Sequence, residues 1–265
     1  MTLSFRALAF ATAFGLSAAP ALADVTIRYL ANQGGLSLHE LAAEPGYFDG
    51  TAAVLNAIAA GNDFVAAYPT NGLNDEAQSI FYVLEDSPIR DIRDIAGKTI
   101  AVNTLGAHLD YVVREALHQA GLPENAANLV VVPGPQLEQV LRSKQVDISA
   151  FGYWQTTFEG AARKAGGLRA VFDDTDVLGE IAGGFIVLRR DWIAAHPAEA
   201  KIFVDASIRA LDHAREHPEE TRAIFARVLG ERGENPEVAQ YFAGYGVREG
   251  GRPGTSSMPP AMRRR

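Results

Sequence analysis

Short apolar runs alternate along most of the chain with longer segments in which apolar residues recur every three or four positions. The short runs predict β-strands, and the longer segments predict helices that bury one face. Strands that alternate with helices are typical of α/β proteins, in which ligand-binding loops follow the strands of one or two mainly parallel sheets. The predicted strands cover residues 25–30, 64–68, 79–84, 97–102, 129–132, 146–151, 168–172 and 185–188.

The segment over residues 97–120 is the most informative part of this pattern. A strand over 97–102 continues through a short loop, residues 103–106, into an amphipathic helix. The first N–H groups of a helix have no partner within the helix and lie at the positive end of its dipole. Such a loop attracts anionic or strongly polar ligand groups, although an ordinary strand-to-helix turn has the same pattern. The apolar stripe of the helix consists of Leu109, Val112, Val113, Ala116, Leu117 and Ala120.

Residues 1–23 have the pattern of a signal peptide. Arg6 is followed by an apolar run over residues 7–16, and small residues precede the expected cleavage after Ala23. The run is shorter than the roughly 20 residues that span a bilayer, so cleavage is favoured over a retained anchor. We therefore expect an exported, periplasmic protein without direct membrane insertion after cleavage.

Composition excludes several classes of function. The chain has no cysteine, which leaves no disulfide, thiolate nucleophile or cysteine metal site. Its formal charge of −8 argues against nucleic acid or an anionic membrane as a partner. A bound anion must therefore be held by local N–H donors rather than by a generally basic surface.

The second half of the chain changes character after Gly183 and Gly184. One further strand, residues 185–188, is followed mainly by helices, and Pro197 and Pro218 each occupy a plausible first helical position. Residues 250–265 contain glycine, proline, serine and three terminal arginines without periodicity, which predicts a disordered tail.

Two clusters have the residue types of metal ligands. His213 and His217 lie four positions apart on a predicted helix, but the charged residues around them indicate a solvated face. Residues 173–176 are acidic but lack the ligand spacing and the glycine of a calcium loop, which favours a helix cap. We predict no metal site, no cofactor and no catalytic residue.

The order of several short motifs resembles the periplasmic substrate-binding proteins of ABC importers in the nitrate, sulfonate and taurine group. The motifs are the turn at residues 46–48, the segments 87–89 and 94–102, and residues 145–147 before Tyr153 and Trp154. The resemblance implies an α/β, two-lobed periplasmic-binding-protein fold of type II. It assigns residues 24–90 plus 181–249 to lobe 1 and residues 91–180 to lobe 2, with crossovers near 86–90 and 179–183.

The same resemblance implies a ligand site in the cleft between the lobes. Glycines in its loops let backbone N–H groups approach a ligand, and aromatic walls bury its apolar part. For Tyr153 and Trp154, core packing at a strand end is an equally good interpretation. The implied ligand-binding residues are Gln33, Gly34, Gly35, Thr104, Leu105, Gly106, Ala107, His108, Tyr153 and Trp154.

The chain departs from the family pattern after residues 46–48. Family members usually continue with a strand, a loop, a helix and another strand, whereas here Asp49 and Gly50 run directly into the helical segment 51–59. This difference predicts an incomplete first lobe. The segment after Arg252 also differs from the family pattern, so a truncated, nonfunctional relic is one alternative.

The resemblance implies capture of a small anionic or zwitterionic solute, such as an alkanesulfonate or taurine. The expected partners are that solute and an ABC permease with its ATPase. Binding of a thiamine-pyrimidine precursor is an alternative function. An enzyme similar to the pyrimidine synthase of thiamine formation is another, but that enzyme depends on a cysteine-rich segment that this chain lacks.

Overall fold

The computed structural model describes residues 63–75, 77–242 and 244–245. The predicted signal peptide, the strand over 25–30, the loop of Gln33, Gly34 and Gly35, and the predicted tail lie outside the described residues. The strands are β1 (Phe64–Leu73), β2 (Ile80–Leu84), β3 (Thr99–Val102), β4 (Asn128–Val131), β5 (Ile148–Phe151), β6 (Leu168–Asp173) and β7 (Ile181–Arg189). The α-helices are α1 (His108–Gln119), α2 (Leu137–Arg142), α3 (Thr156–Ala165), α4 (Asp174–Leu178), α5 (Arg190–Ala195), α6 (Pro197–Glu216) and α7 (Pro218–Glu231).

A five-stranded sheet in the order β4-β3-β5-β2-β6 organises the middle of the chain. Strand β3 is parallel to β4 and β5, whereas β2 is antiparallel to both β5 and β6. The carboxyl ends of β3, β4, β5 and β6 therefore lie at one edge of the sheet, together with the start of β2. The predicted α/β architecture is confirmed for this part of the chain.

Helices cover both faces of this sheet because its central strands are apolar on both sides. Most of the predicted stripe of α1, including Leu109 and Val113, is fully buried in one cluster with Ile100 and Ile148, whereas Ala120 lies after the helix and is half-buried. On the opposite face, Leu137 of α2 packs in a second cluster that also contains residues of α3. Phe81 and Phe172 stack at 4.3 Å between ring centroids, which joins β2 to β6 inside the first cluster.

Strands β1 and β7 form a separate antiparallel ribbon that pairs Phe64 with Arg189 at one end and Leu73 with Ile181 at the other. The sequence analysis expected lobe 1 to include the chain up to residue 90, and the strand pairing differs from that expectation. Strand β2, which the prediction assigned to lobe 1, is hydrogen-bonded between β5 and β6, since its side chains Phe81 and Val83 are fully buried there. The chain thus leaves the ribbon before Ile80, not near residues 86–90.

The last part of the described chain is helical, as predicted. Pro197 and Pro218 begin α6 and α7, where a missing N–H costs no helical hydrogen bond. A 3₁₀ segment, Pro236–Tyr241, packs against α3 of the five-stranded sheet. Among the described residues, none of the helices combines the length and the hydropathy needed to cross a membrane.

The contact between Tyr241 and Gly160 in α3 gives a test of this packing. A Cβ built on Gly160 would lie 2.4 Å from Tyr241 Cγ and 2.6 Å from its Cβ, atoms close to the backbone that cannot easily turn aside. We expect Gly160→Ala to lower the free energy of unfolding by about 1–3 kcal/mol through overpacking. Urea unfolding followed by circular dichroism measures this change.

Gly230 in α7 provides the matched control. A Cβ there would meet nothing within 4 Å, so alanine should raise stability by about 0.5–1 kcal/mol through helix propensity. Equal effects of the two substitutions would contradict the packing of Tyr241 on α3.

The burial of Tyr82 in β2 predicts that the folded protein loses stability at alkaline pH. Burial raises the pKa of its hydroxyl well above the usual 10.0, and the hydrogen bond that it donates to Glu159 Oε1 at 2.6 Å adds to this effect. Between the ordinary and the raised pKa, the unfolded chain releases this proton while the folded chain keeps it, so stability falls as pH rises. Tyr82→Phe should cost about 1 kcal/mol at about pH 8, and less at about pH 11. The measurement is the urea midpoint of Tyr82→Phe and of the unchanged protein. A difference between the two proteins that is the same at both pH values would contradict this prediction.

The acidic residues 173–176 and the pair of His213 and His217 have local roles in the described chain. Asp173 caps α4 by accepting the N–H groups of Thr175 and Asp176, which confirms the predicted helix cap. The rings of His213 and His217 lie 4.8 Å apart, and His213 Nε2 is 3.8 Å from a carboxylate oxygen of Glu220. Within residues 63–75, 77–242 and 244–245, no three histidine or acidic side chains are grouped as metal ligands.

Candidate functional site

The carboxyl edge of the five-stranded sheet collects the loops that the sequence analysis singled out. The turn at residues 104–107 follows β3, Tyr153 and Trp154 follow β5, and α4 begins directly after β6. Ser79 precedes β2 at the same edge, because β2 runs opposite to its neighbours. Parallel strands therefore bring predicted site residues from distant parts of the chain together.

A buried hydrogen-bond network fixes this edge. His108 Nε2 lies 2.8 Å from Asp174 Oδ2, and both side chains are almost completely buried. The other carboxylate oxygen of Asp174 accepts the N–H of Ser79 at 3.0 Å. Ser79 Oγ in turn accepts the N–H of Tyr153 at 3.2 Å. The network ties the ends of three strands to the first residue of α1.

An aromatic cluster packs against this network at His108. The ring of His108 meets those of Tyr153 and Trp154 edge to face at 5.8 and 6.1 Å, and Tyr153 and Trp154 are 4.8 Å apart. Both aromatic residues are half-buried. The indole of Trp154 lies over Gly152, where a Cβ would come within 2.6 Å of it. The cluster thus has a side packed on the core and a side open at the sheet edge.

The Tyr153 hydroxyl links this cluster to the β1–β7 ribbon. It donates a hydrogen bond of 2.8 Å to the carbonyl oxygen of Gly183 in β7. This bond joins the five-stranded sheet to the ribbon next to the aromatic cluster, at a place where β7 carries two glycines and no side chains.

The turn before α1 is exposed at Thr104, Leu105 and Gly106 and becomes buried at Ala107. Gly106 has a φ of +75°, a conformation that favours glycine. Its N–H donates to Asp110 Oδ2 at 2.6 Å. The prediction assigned this N–H to a ligand, whereas here it has a carboxylate partner within the chain. Leu105 and Ala107 remain the candidate amide donors of the turn.

Asp110 is itself neutralised within α1. The carboxylate is buried, and its Oδ1 accepts a hydrogen bond of 2.5 Å from Arg114 Nε one turn further along the helix. A carboxylate in the first turn also suits the positive end of the helix dipole. The electrostatic field at this helix start is therefore set by an acid–base pair as well as by the backbone.

Sequence reasoning missed several residues at this edge. Asp174 was predicted only as part of a helix cap, and Ser79 only as the start of a strand. Thr70 and Asn71 of β1 lie opposite Gly184, close to the Tyr153 hydroxyl, and were not predicted at all. The pair of glycines at 183 and 184 is the one sequence signal that points to them, since glycine inside a strand often marks a close approach.

Comparisons with solved structures show the fold. The periplasmic aliphatic sulphonate binding protein SsuA from Escherichia coli is 23% identical, with a TM-score of 0.59 over 74% of this chain and 64% of that one. The alkanesulfonate-binding protein SsuA from Xanthomonas axonopodis pv. citri, solved with MOPS bound, is 20% identical, with a TM-score of 0.59 over 81% and 68%. The desulfurization enzyme DSZB is 17% identical, with a TM-score of 0.54 over 84% of each chain.

These likenesses confirm the predicted periplasmic-binding-protein fold. The chain spans about 64% of the length of the Escherichia coli protein. No curated protein sequence matches the chain.

A protein-family model described as NMT1/THI5 like matches residues 49–221, which is well over half of the chain. The match contains the β1–β7 ribbon, the five-stranded sheet and the edge where the candidate site lies. It agrees with the resemblance to nitrate-, sulfonate- and taurine-binding proteins that the motif order indicated. The chain therefore belongs to the NMT1/THI5-like family.

Proposed function

We propose that the protein captures a small anionic or zwitterionic solute outside the cytoplasm and delivers it to an ABC permease with its ATPase. The family match and the fold shared with sulfonate-binding proteins support this role. The signal-like residues 1–23 support export. Alkanesulfonates and taurine are the solutes that we consider first.

The observation that carries the proposal is the convergence of an α-helix start and an aromatic pair at one sheet edge. Backbone N–H groups at the start of α1 offer hydrogen bonds and a positive dipole to an anionic head group. Tyr153 and Trp154 offer apolar surface beside it for the rest of the solute. A sulfonate head on a short carbon chain has both properties.

The buried carboxylates at this edge leave both a simple anion and a zwitterion open as the solute. Asp110 and Asp174 are each held by a cationic or hydrogen-bonding partner, Arg114 and His108 respectively. Because both carboxylates are buried and bonded within the chain, they offer no charge that would select an ammonium group. On this proposal the head group binds at Leu105 and Ala107, and Gln33, outside the described residues, orients the remainder.

Isothermal titration calorimetry of the processed protein, residues 24–265, tests the proposal. The panel contains taurine, methanesulfonate, ethanesulfonate, nitrate, bicarbonate and a thiamine-pyrimidine precursor. We expect a sulfonate or taurine to bind with a Kd at or below about 100 µM, which corresponds to about −5.5 kcal/mol or better. Binding of the pyrimidine alone, or of none of the six, would contradict the proposal.

A second measurement separates binding from catalysis, because the fold also supports the enzyme DSZB. After prolonged incubation with the protein, a bound sulfonate should be recovered unchanged by NMR. Release of sulfite or another product would show an enzyme instead.

Urea unfolding tests the alternative of a nonfunctional relic. A urea transition that is not cooperative would favour that alternative.

A further inference from the structure

We propose that Asn71 of β1 is a further ligand-binding residue, whose side-chain amide donates a hydrogen bond to an anionic oxygen of the solute. This inference rests on the proposed function for the chemical class of the solute. It adds to the site a residue of β1 that the sequence motifs did not predict. Three features of the molecule support it: the irregular shape of β1, an unpartnered amide nitrogen and the polar atoms next to Tyr153.

The backbone of β1 is irregular around Asn71. Asn71 pairs with Gly184 of β7, and the register shifts both between Pro69 and Asn71 and between Asn71 and Gly72. Irregularities of this kind bend a strand and redirect a side chain, and they are common next to functional sites. Here they turn one residue of an otherwise ordinary ribbon toward the two glycines of β7.

The side-chain amide of Asn71 is buried but incompletely bonded. The residue is 6% exposed, and its Nδ2 is buried without a hydrogen-bond partner among the described residues. Its Oδ1 accepts a hydrogen bond of 3.0 Å from Thr70 Oγ1. Buried amide donors are nearly always paired, because an unpaired one forfeits its hydration. The group that still lacks a partner at this position is therefore a hydrogen-bond donor.

The Asn71 amide adjoins the candidate site. A Cβ built on Gly184 would lie 2.8 Å from Asn71 Oδ1, 2.9 Å from Thr70 Oγ1 and 3.6 Å from the Tyr153 hydroxyl oxygen. A Cβ on Gly183 would lie only 2.1 Å from Asn71 Nδ2. The side chains of Asn71 and Thr70 therefore occupy the room that the two glycines leave, and the Tyr153 hydroxyl lies close to them. The Asn71 amide is thus a neighbour of the aromatic residue that we propose to contact the solute.

The chemistry of these atoms favours an anionic oxygen as the group bound. The Thr70 hydroxyl donates to Asn71, and the Tyr153 hydroxyl donates to the Gly183 carbonyl. The Nδ2 hydrogens are then the donors left for a ligand. An N–H donor binds a charged oxygen about twice as strongly as a neutral one. A sulfonate or carboxylate oxygen fits this description, whereas an ammonium group would find no acceptor at Nδ2.

NMR of the full processed chain, with its asparagine side-chain amides labelled with ¹⁵N, tests the contact directly. Methanesulfonate is the anionic probe, and methylammonium is a cationic probe of similar size. We expect the Asn71 side-chain signals to shift in a saturable manner with methanesulfonate and not with methylammonium. Signals that stay unmoved by methanesulfonate, or that move only with methylammonium, would overturn the inference.

The substitution Asn71→Asp changes the sign of the group while keeping its shape. It replaces the donor by an anionic oxygen, so the Kd for the best sulfonate of the calorimetric panel should rise at least about tenfold. Asn128→Asp adds the same charge at the start of β4, where the amide lies near Thr99 Oγ1, and should leave the Kd unchanged. A Kd that is unchanged or lower in Asn71→Asp would overturn the inference.

The two experiments separate this inference from the proposed function. If a sulfonate binds tightly and the Asn71 signals do not move, the function stands and the inference fails. If the signals move with methanesulfonate while no solute of the panel binds tightly, the role of Asn71 stands as an anion contact and the importer function fails. Circular dichroism melts of both variants show whether either substitution disturbs folding.

Discussion

Replacing Asp174 by alanine will lower the free energy of unfolding by about 3–5 kcal/mol. The carboxylate is fully buried and serves two partners, His108 Nε2 at 2.8 Å and the Ser79 N–H at 3.0 Å. Alanine leaves both of these groups buried without an acceptor and opens a small cavity between α1 and α4. Against a typical stability of about 5–15 kcal/mol, this is a large fraction of the total.

Asp174→Asn is the matched control for that substitution. Asparagine fills the same volume and keeps an oxygen for the Ser79 N–H, while its amide can donate to the histidine nitrogen in the neutral form of the ring. We expect a loss well below that of alanine. Urea unfolding at about pH 7 measures both variants. A loss below about 1 kcal/mol for alanine would contradict the structural role of this network.

Replacing Trp154 by alanine will weaken solute binding by at least about thirtyfold, which corresponds to about 2 kcal/mol. The indole is half-buried, packs edge to face on Tyr153 and covers Gly152. If it forms the apolar wall of the site, its loss removes contact area and also frees Tyr153 to move. Calorimetry with the best solute of the panel gives the change in Kd.

Trp192→Ala is the control, because Trp192 is half-buried on α5 and packs against His196 instead. It should leave the Kd unchanged even if it lowers stability. The core-packing interpretation of Trp154 predicts a different result, in which both variants lose stability and neither changes the Kd. The comparison thus decides between the two interpretations that the sequence left open.

The elements of this fold could be predicted because their signals are local. The stripe from Leu109 to Ala120 identifies α1 by its spacing alone, and the apolar run at residues 79–84 identifies β2. The sheet to which β2 belongs could not be read from the sequence, since it depends on pairing with β5 and β6 far along the chain. For that reason the expected division at residue 90 lies after a strand that the structure puts in the five-stranded sheet.

Strand β1 shows how a local signal can mislead. The prediction ended it at residue 68, directly before Pro69, a residue type that is disfavoured within sheets. The strand continues through Pro69 to Leu73, since irregular pairing with β7 accommodates the proline. This continuation is what places Asn71 beside Gly184, so the error in the boundary and the missed candidate residue have the same cause.

The candidate site was predictable where it depends on a turn and hidden where it depends on distant contacts. Thr104 to Ala107 precede a strongly patterned helix, and this position together with the family resemblance made them candidates. The pairing of His108 with Asp174 joins residues 66 positions apart, and that of Ser79 with Asp174 joins residues 95 apart. No periodicity extends over such distances. The carboxylate at Gly106 also escaped prediction, because Asp110 reads as an ordinary residue of the first helical turn.

The most direct test of the account uses Trp154 as the only reporter of solute binding. The chain has two tryptophans, so the Trp192→Phe variant fluoresces from Trp154 alone. Titration with the best sulfonate of the panel should change its emission in a saturable manner, with the same Kd as calorimetry gives, while the Trp154→Phe variant should show no change. Calorimetric binding to Trp192→Phe without any change in its emission would contradict a site at this edge of the sheet.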